Sequence, residues 1–223
     1  MRKTEFANDE YYHIYNRGVD KREVFLDKRD FERFLLCMNL LDDECGGQME
    51  KLRNERNPKV RPSEFRRSNL GILEARQKLV DIICYCLNPN HYHFILKQLR
   101  DGGIVKFMQK LGTSYVMYFN KKYERNGVLF QGKYKSIHID SNEYLLYLSA
   151  YVNANNFIHK YSKNFSWPYA SLPDYLGKRK GNLCQKEIIL SQFDNDFSQY
   201  QKYLHDNARY LKEKKEMEKY ILE

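Results

Sequence analysis

Two apolar runs separated by one short break constrain this chain's fold more than any other feature. LVDIICYCL (79–87) is β-branched and apolar, NPN (88–90) is a turn signal, and HYHFILKQ (91–98) begins a second apolar run. Branched and aromatic side chains pack well on a pleated surface, so both runs read as strands. A connection this short pairs them antiparallel, as a hairpin. Side chains alternate faces along a strand, so His91 and His93 share one face and Tyr92 points to the other. The two histidines are then either a bidentate platform for a divalent cation or two imidazoles on a solvated strand face. Their spacing alone does not separate these readings.

The remaining periodicity surrounds this hairpin with helices. YYHIYNR (11–17) alternates as a short strand that Gly18 ends. DKRDFERFLLCMNLL (27–41) has helical spacing, with Asp30 as the expected cap. Residues 42–70 are charged, contain Pro58 and Pro62, and read as an exposed excursion. After Gly102 and Gly103, IVKFMQKLGTSYVMYFNKKY (104–123) is helical again. Asn126-Gly127 turns the chain into VLFQGKYKSIHI (128–139), which alternates like a strand or an extended β-arm, and Asp140 or Ser141 caps a helix over 142–159. Beyond Pro168 and Pro173, KEIILSQF and FSQYQKYLHDNARYLKEKKEMEKYIL read as helices. Hairpin-forming strands mixed with long helices predict an α+β fold, an antiparallel sheet with helices packed on it.

Charge narrows the partners. The net charge of +9 favours partners with phosphate backbones. The 19 tyrosines either stack on unpaired bases or fill a core that satisfies their hydroxyls. No run approaches the roughly 18 apolar residues of a membrane helix. The opening MRKTEFANDEYYH lacks the apolar core of a signal peptide, so a cytoplasmic protein is expected. The five cysteines are odd in number and form no C-x-x-C pair, which argues against a disulfide framework. Cys84 and Cys86 read as small core residues, with zinc binding the lesser alternative.

In DSNEYLLYLSAYVNANNFIHK (140–160), helical spacing puts Tyr144, Tyr147, Tyr151 and Asn155 on one stripe. Leu145, Leu148 and Val152 form the adjacent stripe and are core. The tyrosine-asparagine stripe either packs through its rings or lines a cleft. In a cleft, the neighbours Tyr151 and Asn155 would offer a nucleophile and an oxygen ligand.

Four segments, in order, resemble the single-tyrosine HUH transposases, the insertion-sequence-200-like family that includes the REP-associated tyrosine transposases. They are HIYNRG (13–18), YCLNPNHYHFIL (85–96), NGVLFQGKYKS (126–136) and YVNANNFIHK (151–160). The resemblance implies a ferredoxin-like HUH endonuclease core over residues 1–160, followed by a helical C-terminal extension over 161–223. It implies that His91, His93 and Asn155 hold a divalent metal, Mg or Mn, and that Tyr151 is the nucleophile, with Tyr147 and Tyr144 as fallbacks. Tyr92 stands where relatives usually carry an aliphatic residue. Asn156 stands where many carry proline, which is expected to lengthen the helix slightly.

The implied activity is metal-dependent cleavage and strand transfer of single-stranded or hairpin DNA through a 5′-phosphotyrosine, with a homodimer compatible. The expected phosphate contacts are Arg17, Lys21 and Arg22 after the first strand. Lys121, Lys122 and Arg125 at the end of the long helix join them, as do Lys133 and Lys135 on the following arm. Tyr134 or Phe130 would stack or pack there, and LGKRKGN (176–182) offers three further cations. Two other readings compete. One is a non-catalytic, domesticated DNA-binding protein acting as repressor or host factor. The other is a hydrolytic nuclease or RNA-processing enzyme that uses the same histidines without a protein-bound intermediate.

Overall fold

The computed structural model describes residues 4–44 and 77–221, with side chains given up to Lys215. Most of the charged excursion predicted over 42–70 lies outside the described residues. Four strands form one sheet: β1 (Tyr11–Arg17), β2 (Val80–Asn88), β3 (His91–Gln98) and β4 (Lys135–Ile139). Their order is β2-β3-β1-β4, and every neighbouring pair is antiparallel. Helix α1 (Lys28–Leu41) follows β1 and α2 (Gly103–Lys122) follows β3. The β-α-β-β-α-β order with β1 at the centre is the ferredoxin-like split β-α-β arrangement. The predicted α+β class and hairpin are therefore present, and Asn88 pairs directly with His91 across the Pro89-Asn90 turn.

The sheet buries two cores. On one face Tyr12, Ile14, Tyr92, Phe94 and Leu96 pack against Phe34 of α1 and Phe107, Leu111 and Tyr115 of α2. The other face is covered by α3 (Asn142–Asn153) and α7 (Phe197–Ile221), with the short helices α4 (Asn155–Ile158), α5 (Leu172–Tyr175) and α6 (Glu187–Leu190) between them. There Ile95, Cys84 and Cys86 meet Leu145, Leu148, Val152, Tyr200 and Leu204. A register shift between Ile82 and Cys84 puts Ile83 and Cys84 on this second face together. Gly18 ends β1 because a Cβ there would stand 2.1 Å from the Arg22 carbonyl oxygen. No helix among the described residues is long and apolar enough to cross a membrane.

Three local expectations are corrected. Asp27, not Asp30, caps α1: its backbone is extended and its carboxylate accepts from Asp30 N at 3.1 Å. Asp30 closes the reciprocal box by accepting from Asp27 N. Of the strand or extended arm expected over 128–139, only 135–139 is strand, because Phe130 makes an isolated bridge to Gly18 and Gly132 turns the chain at φ +68. The helix expected over 142–159 starts as predicted, with Ser141 accepting from Tyr144 N, but stops at Asn153. Ala154 leaves helical geometry at φ −99, ψ 5, and its carbonyl starts a new ladder to Phe157 and Ile158. The adjacent Asn153 is tied by its side chain to Tyr200 at 2.8 Å and Ser171 at 2.6 Å, which fixes the break. Asn156 in place of proline therefore does not lengthen the helix.

Candidate active site

The second face is apolar along most of its length and polar at one end. The β1–β3 register sets Arg17 opposite His91 and Tyr15 opposite His93, so cross-strand pairing delivers all four side chains to one patch. The rings of His91 and His93 stand perpendicular, 5.2 Å apart. Tyr151 closes the patch from the last turn of α3, its ring edge-on to His93 at 5.5 Å. His91, His93 and Tyr151 line one cleft together with Tyr15, Arg17 and Lys135. Tyr92, between the two histidines, faces the opposite core and is 4% exposed.

Asn155 opens α4 just beyond the break and is fully buried. Its Oδ1 lies 3.0 Å from His91 Nε2 and accepts from Asn88 Nδ2 at 2.7 Å. The Asn88 amide also reaches His91 Nε2 at 2.9 Å. The tautomer of His91 follows from Asn90. That amide donates its Nδ2 to the Lys21 carbonyl, which turns Oδ1 toward His91 Nδ1 at 2.6 Å and toward the Tyr161 hydroxyl at 2.8 Å. His91 Nδ1 therefore carries the proton, and Nε2 presents a lone pair. That lone pair and the Asn155 carbonyl converge 3.0 Å apart, bridged by one amide NH₂ group that donates to both. Asn155 Nδ2 is buried without a hydrogen-bond partner, so among the described residues this amide engages through its oxygen. Two acceptors held together in this way suit a cation, and the donor set of imidazole and amide oxygen suits a divalent one.

Burial sets the protonation states. It lowers His91 to about 4, opposed by the Asn155 carbonyl, which favours the protonated ring as an acceptor. It holds His93 well below the usual imidazole range, with His13 and His91 adding to the effect. Both imidazoles are thus neutral near pH 7, the form that ligates metals. Burial also raises the Tyr151 phenol, and the neighbouring Asn155 amide works the other way. Among the described residues no three His, Cys, Asp or Glu side chains gather as a metal cluster. Cys84 and Cys86 lie in the apolar core, where burial pushes the Cys86 thiol to about 12 and Cys84 well above its usual value.

The predicted basic residues divide between two places. Arg17, Lys21 and Lys135 line the cleft. Arg17 donates to Gln131, and Lys135 lies 6.0 Å from the centre of the Tyr15 ring. Arg22 is exposed beside Asp20, and Lys133 is exposed on the arm before β4. The other three stand at the C-terminal end of α2, the helix that covers the opposite face. Lys121 is exposed there; Lys122 is bound by Asp27 and Asp30, each at 2.7 Å; Arg125 donates to the Val128 carbonyl and lies over Phe119. In LGKRKGN, Arg179 is committed to Asp174, Ala170 and the Tyr85 hydroxyl. Tyr147 and Tyr144 lie one and two turns back along α3, outside the cleft lining.

Sequence reasoning missed several residues in or behind the cleft. His13 contacts His93, and same-face alternation in YYHIYNR was the signal that could have found it. Asn88 and Asn90 read only as turn formers. His159 sits beside His91 with ring centres 4.9 Å apart, and burial lowers it to about 3. Lys215 of α7 approaches His159 Nδ1 at 2.6 Å, and nothing in the charged tail's sequence marks it.

Comparison with known proteins agrees with this architecture. Residues 69–155 match the family model described as IS200-like transposase. No curated protein matches the chain. Among solved structures, one described as a REP-associated tyrosine transposase bound to a REP hairpin superposes with a TM-score of 0.51 at 10% identity. The match covers 83% of this chain and 93% of that one, and it establishes the shared fold. The hairpin, both histidines, α2, β4, Tyr151 and Asn155 all fall within the matched segment, so the part of the chain that carries the site is similar to the IS200-like transposases.

Proposed function

We propose that the chain is a transposase that cuts and rejoins single-stranded DNA, with Tyr151 as nucleophile and His91, His93 and Asn155 as ligands of a divalent cation, Mg or Mn. The observation that carries the reading is the convergence of the His91 Nε2 lone pair and the buried Asn155 carbonyl, with His91 lining a cleft that His93 and Tyr151 also line. A bound divalent cation would supply Lewis-acid polarisation of the scissile phosphate. The chain's own residues do the rest. Tyr151 Oη attacks phosphorus, an O–P bond forms, and the bond to the 3′ oxygen breaks. The phenolic proton is lost and the 3′ oxygen leaves as a hydroxyl, giving a 5′-phosphotyrosine. Attack on that linkage by another 3′-hydroxyl reverses the step and frees Tyr151, so no external energy source is needed. Arg17, Lys21 and Lys135 orient the backbone by charge, and the neighbouring Tyr15 ring offers a stacking surface.

The test is a denaturing gel of end-labelled single-stranded hairpin DNA incubated with protein and Mn²⁺. A labelled, protein-sized band is expected for the native sequence and none for Tyr151→Phe, which should still bind the DNA. Cleavage without a covalent band would favour a hydrolytic nuclease. Binding without any cleavage would favour a DNA-binding protein that has lost its chemistry.

A further inference from the structure

His91 and His93 are neighbours on one strand, but only His91 has its proton position fixed by an amide. The nitrogen of His93 that corresponds to the tethered Nδ1 of His91 meets a third imidazole: His93 Nδ1 lies 2.8 Å from His13 Nε2. His13 is 5% exposed and comes from β1. Its ring is stacked between neighbours, 4.9 Å from Tyr15 and 5.1 Å from His93, and nearly parallel to the latter at 16°. Two imidazole nitrogens at that separation share one proton, so one ring donates and the other accepts.

We infer that His13 is a positioning residue that accepts the Nδ1 proton of His93 and thereby reserves His93 Nε2 for the cation. The inference rests on the metal-site reading proposed above. Under it, His91 and His93 are held alike, each through Nδ1, by Asn90 in one case and by His13 in the other. This is the arrangement that hydrogen-bond partners impose on ligating histidines: one ring nitrogen is anchored and the other presents its lone pair. A glutamine at residue 13 can place its amide oxygen near the position of an imidazole Nε2; a leucine fills similar space with no acceptor.

The experiment measures Mn²⁺ binding to the DNA-free protein by loss of the free-ion electron paramagnetic resonance signal. Binding of the single-stranded hairpin without metal is measured alongside, for the native chain, His13→Leu and His13→Gln. We expect His13→Leu to weaken Mn²⁺ binding about 10–100-fold, as removal of a ligating histidine's hydrogen-bond partner typically does. Hairpin affinity should stay at the native value, and His13→Gln should recover most of the Mn²⁺ affinity. Equal Mn²⁺ affinity in His13→Leu and the native chain overturns the role of His13 while leaving the metal site intact. A native chain that binds no Mn²⁺ overturns the metal reading and this inference together. Should His13→Leu misfold, judged by circular dichroism, the Gln variant decides: native-like Mn²⁺ affinity supports an acceptor role, and loss of binding in a folded Gln variant contradicts it.

Discussion

The two faces of the sheet are made from alternate residues of the same strands, yet they do different work. On β3, Tyr92, Phe94 and Leu96 enter a closed core, where Phe34 of α1 lies 5.5 Å from Tyr92 and 6.2 Å from Phe94. The intervening residues His91, His93 and Ile95 face α3 and α7, and only Ile95 reaches apolar packing there. The polar end survives because its groups bond one another: His91 with Asn88, Asn90 and Asn155, and His93 with His13. Buried polar groups left without such partners would be costly. A period-two strand thus lets one face hold the fold while the other holds a preorganised cleft.

Substitutions on each face can break this division. The largest expected effect is on the polar face: His91→Ala should take metal-dependent cleavage per folded molecule to background, with a moderate loss of stability as Asn88, Asn90 and Asn155 lose a partner. Cleavage near the native rate would dissolve the distinction. On the closed face, Phe34→Ala should cost about 3–5 kcal/mol of stability by leaving a cavity. Its covalent band per folded molecule should match the native one at low temperature, checked by denaturant titration beside the gel. A smaller contrast separates the two sets of cations. Arg17→Ala should reduce the slope of log affinity against log salt by about 0.7, the value for one phosphate contact on a single strand. Lys122→Met should leave that slope unchanged and lower stability instead, because it strips a partner from the buried Asp30. The reverse pattern would place the DNA on the α2 face.

The smallest effect is a pH dependence confined to the cleft. Burial holds His13 and His91 at about 4, below the unfolded value near 6.5. Between those values the unfolded chain binds more protons than the folded one. Their contribution to stability is therefore complete above pH 6.5 and is lost as pH falls through about 4. His13→Leu should flatten the acid limb of a stability-against-pH curve measured by thermal melts. An unchanged limb would mean that His13 titrates as a solvated imidazole.

Much of this division was legible in the chain itself. Alternation in HYHFILKQ assigned His91 and His93 to one face and Tyr92 to the other, because a strand's period is fixed by backbone geometry. Ser141, at the start of α3, was readable from capping chemistry. What alternation could not supply was long-range. Asn88 and Asn90 look like turn residues until the hairpin carries them to His91, and His13 gains its meaning only when β1 pairs with β3. The stop at Asn153 depends on Tyr200 and Ser171, which are distant in sequence from one another. The pairing of Lys122 was not legible for the same reason: its carboxylate partners Asp27 and Asp30 sit 95 and 92 residues away.

The claim that the polar end of the sheet is a strand-cleaving site built around one tyrosine is tested most directly by mass spectrometry of the trapped product. The native protein is incubated with single-stranded hairpin DNA and Mn²⁺, digested with nuclease and protease, and its peptides are sequenced by fragmentation. The account predicts a nucleotide bound through phosphate to Tyr151, within the segment that also carries Tyr144 and Tyr147. A nucleotide on either of those residues, or cleaved DNA with no modified peptide, would contradict it.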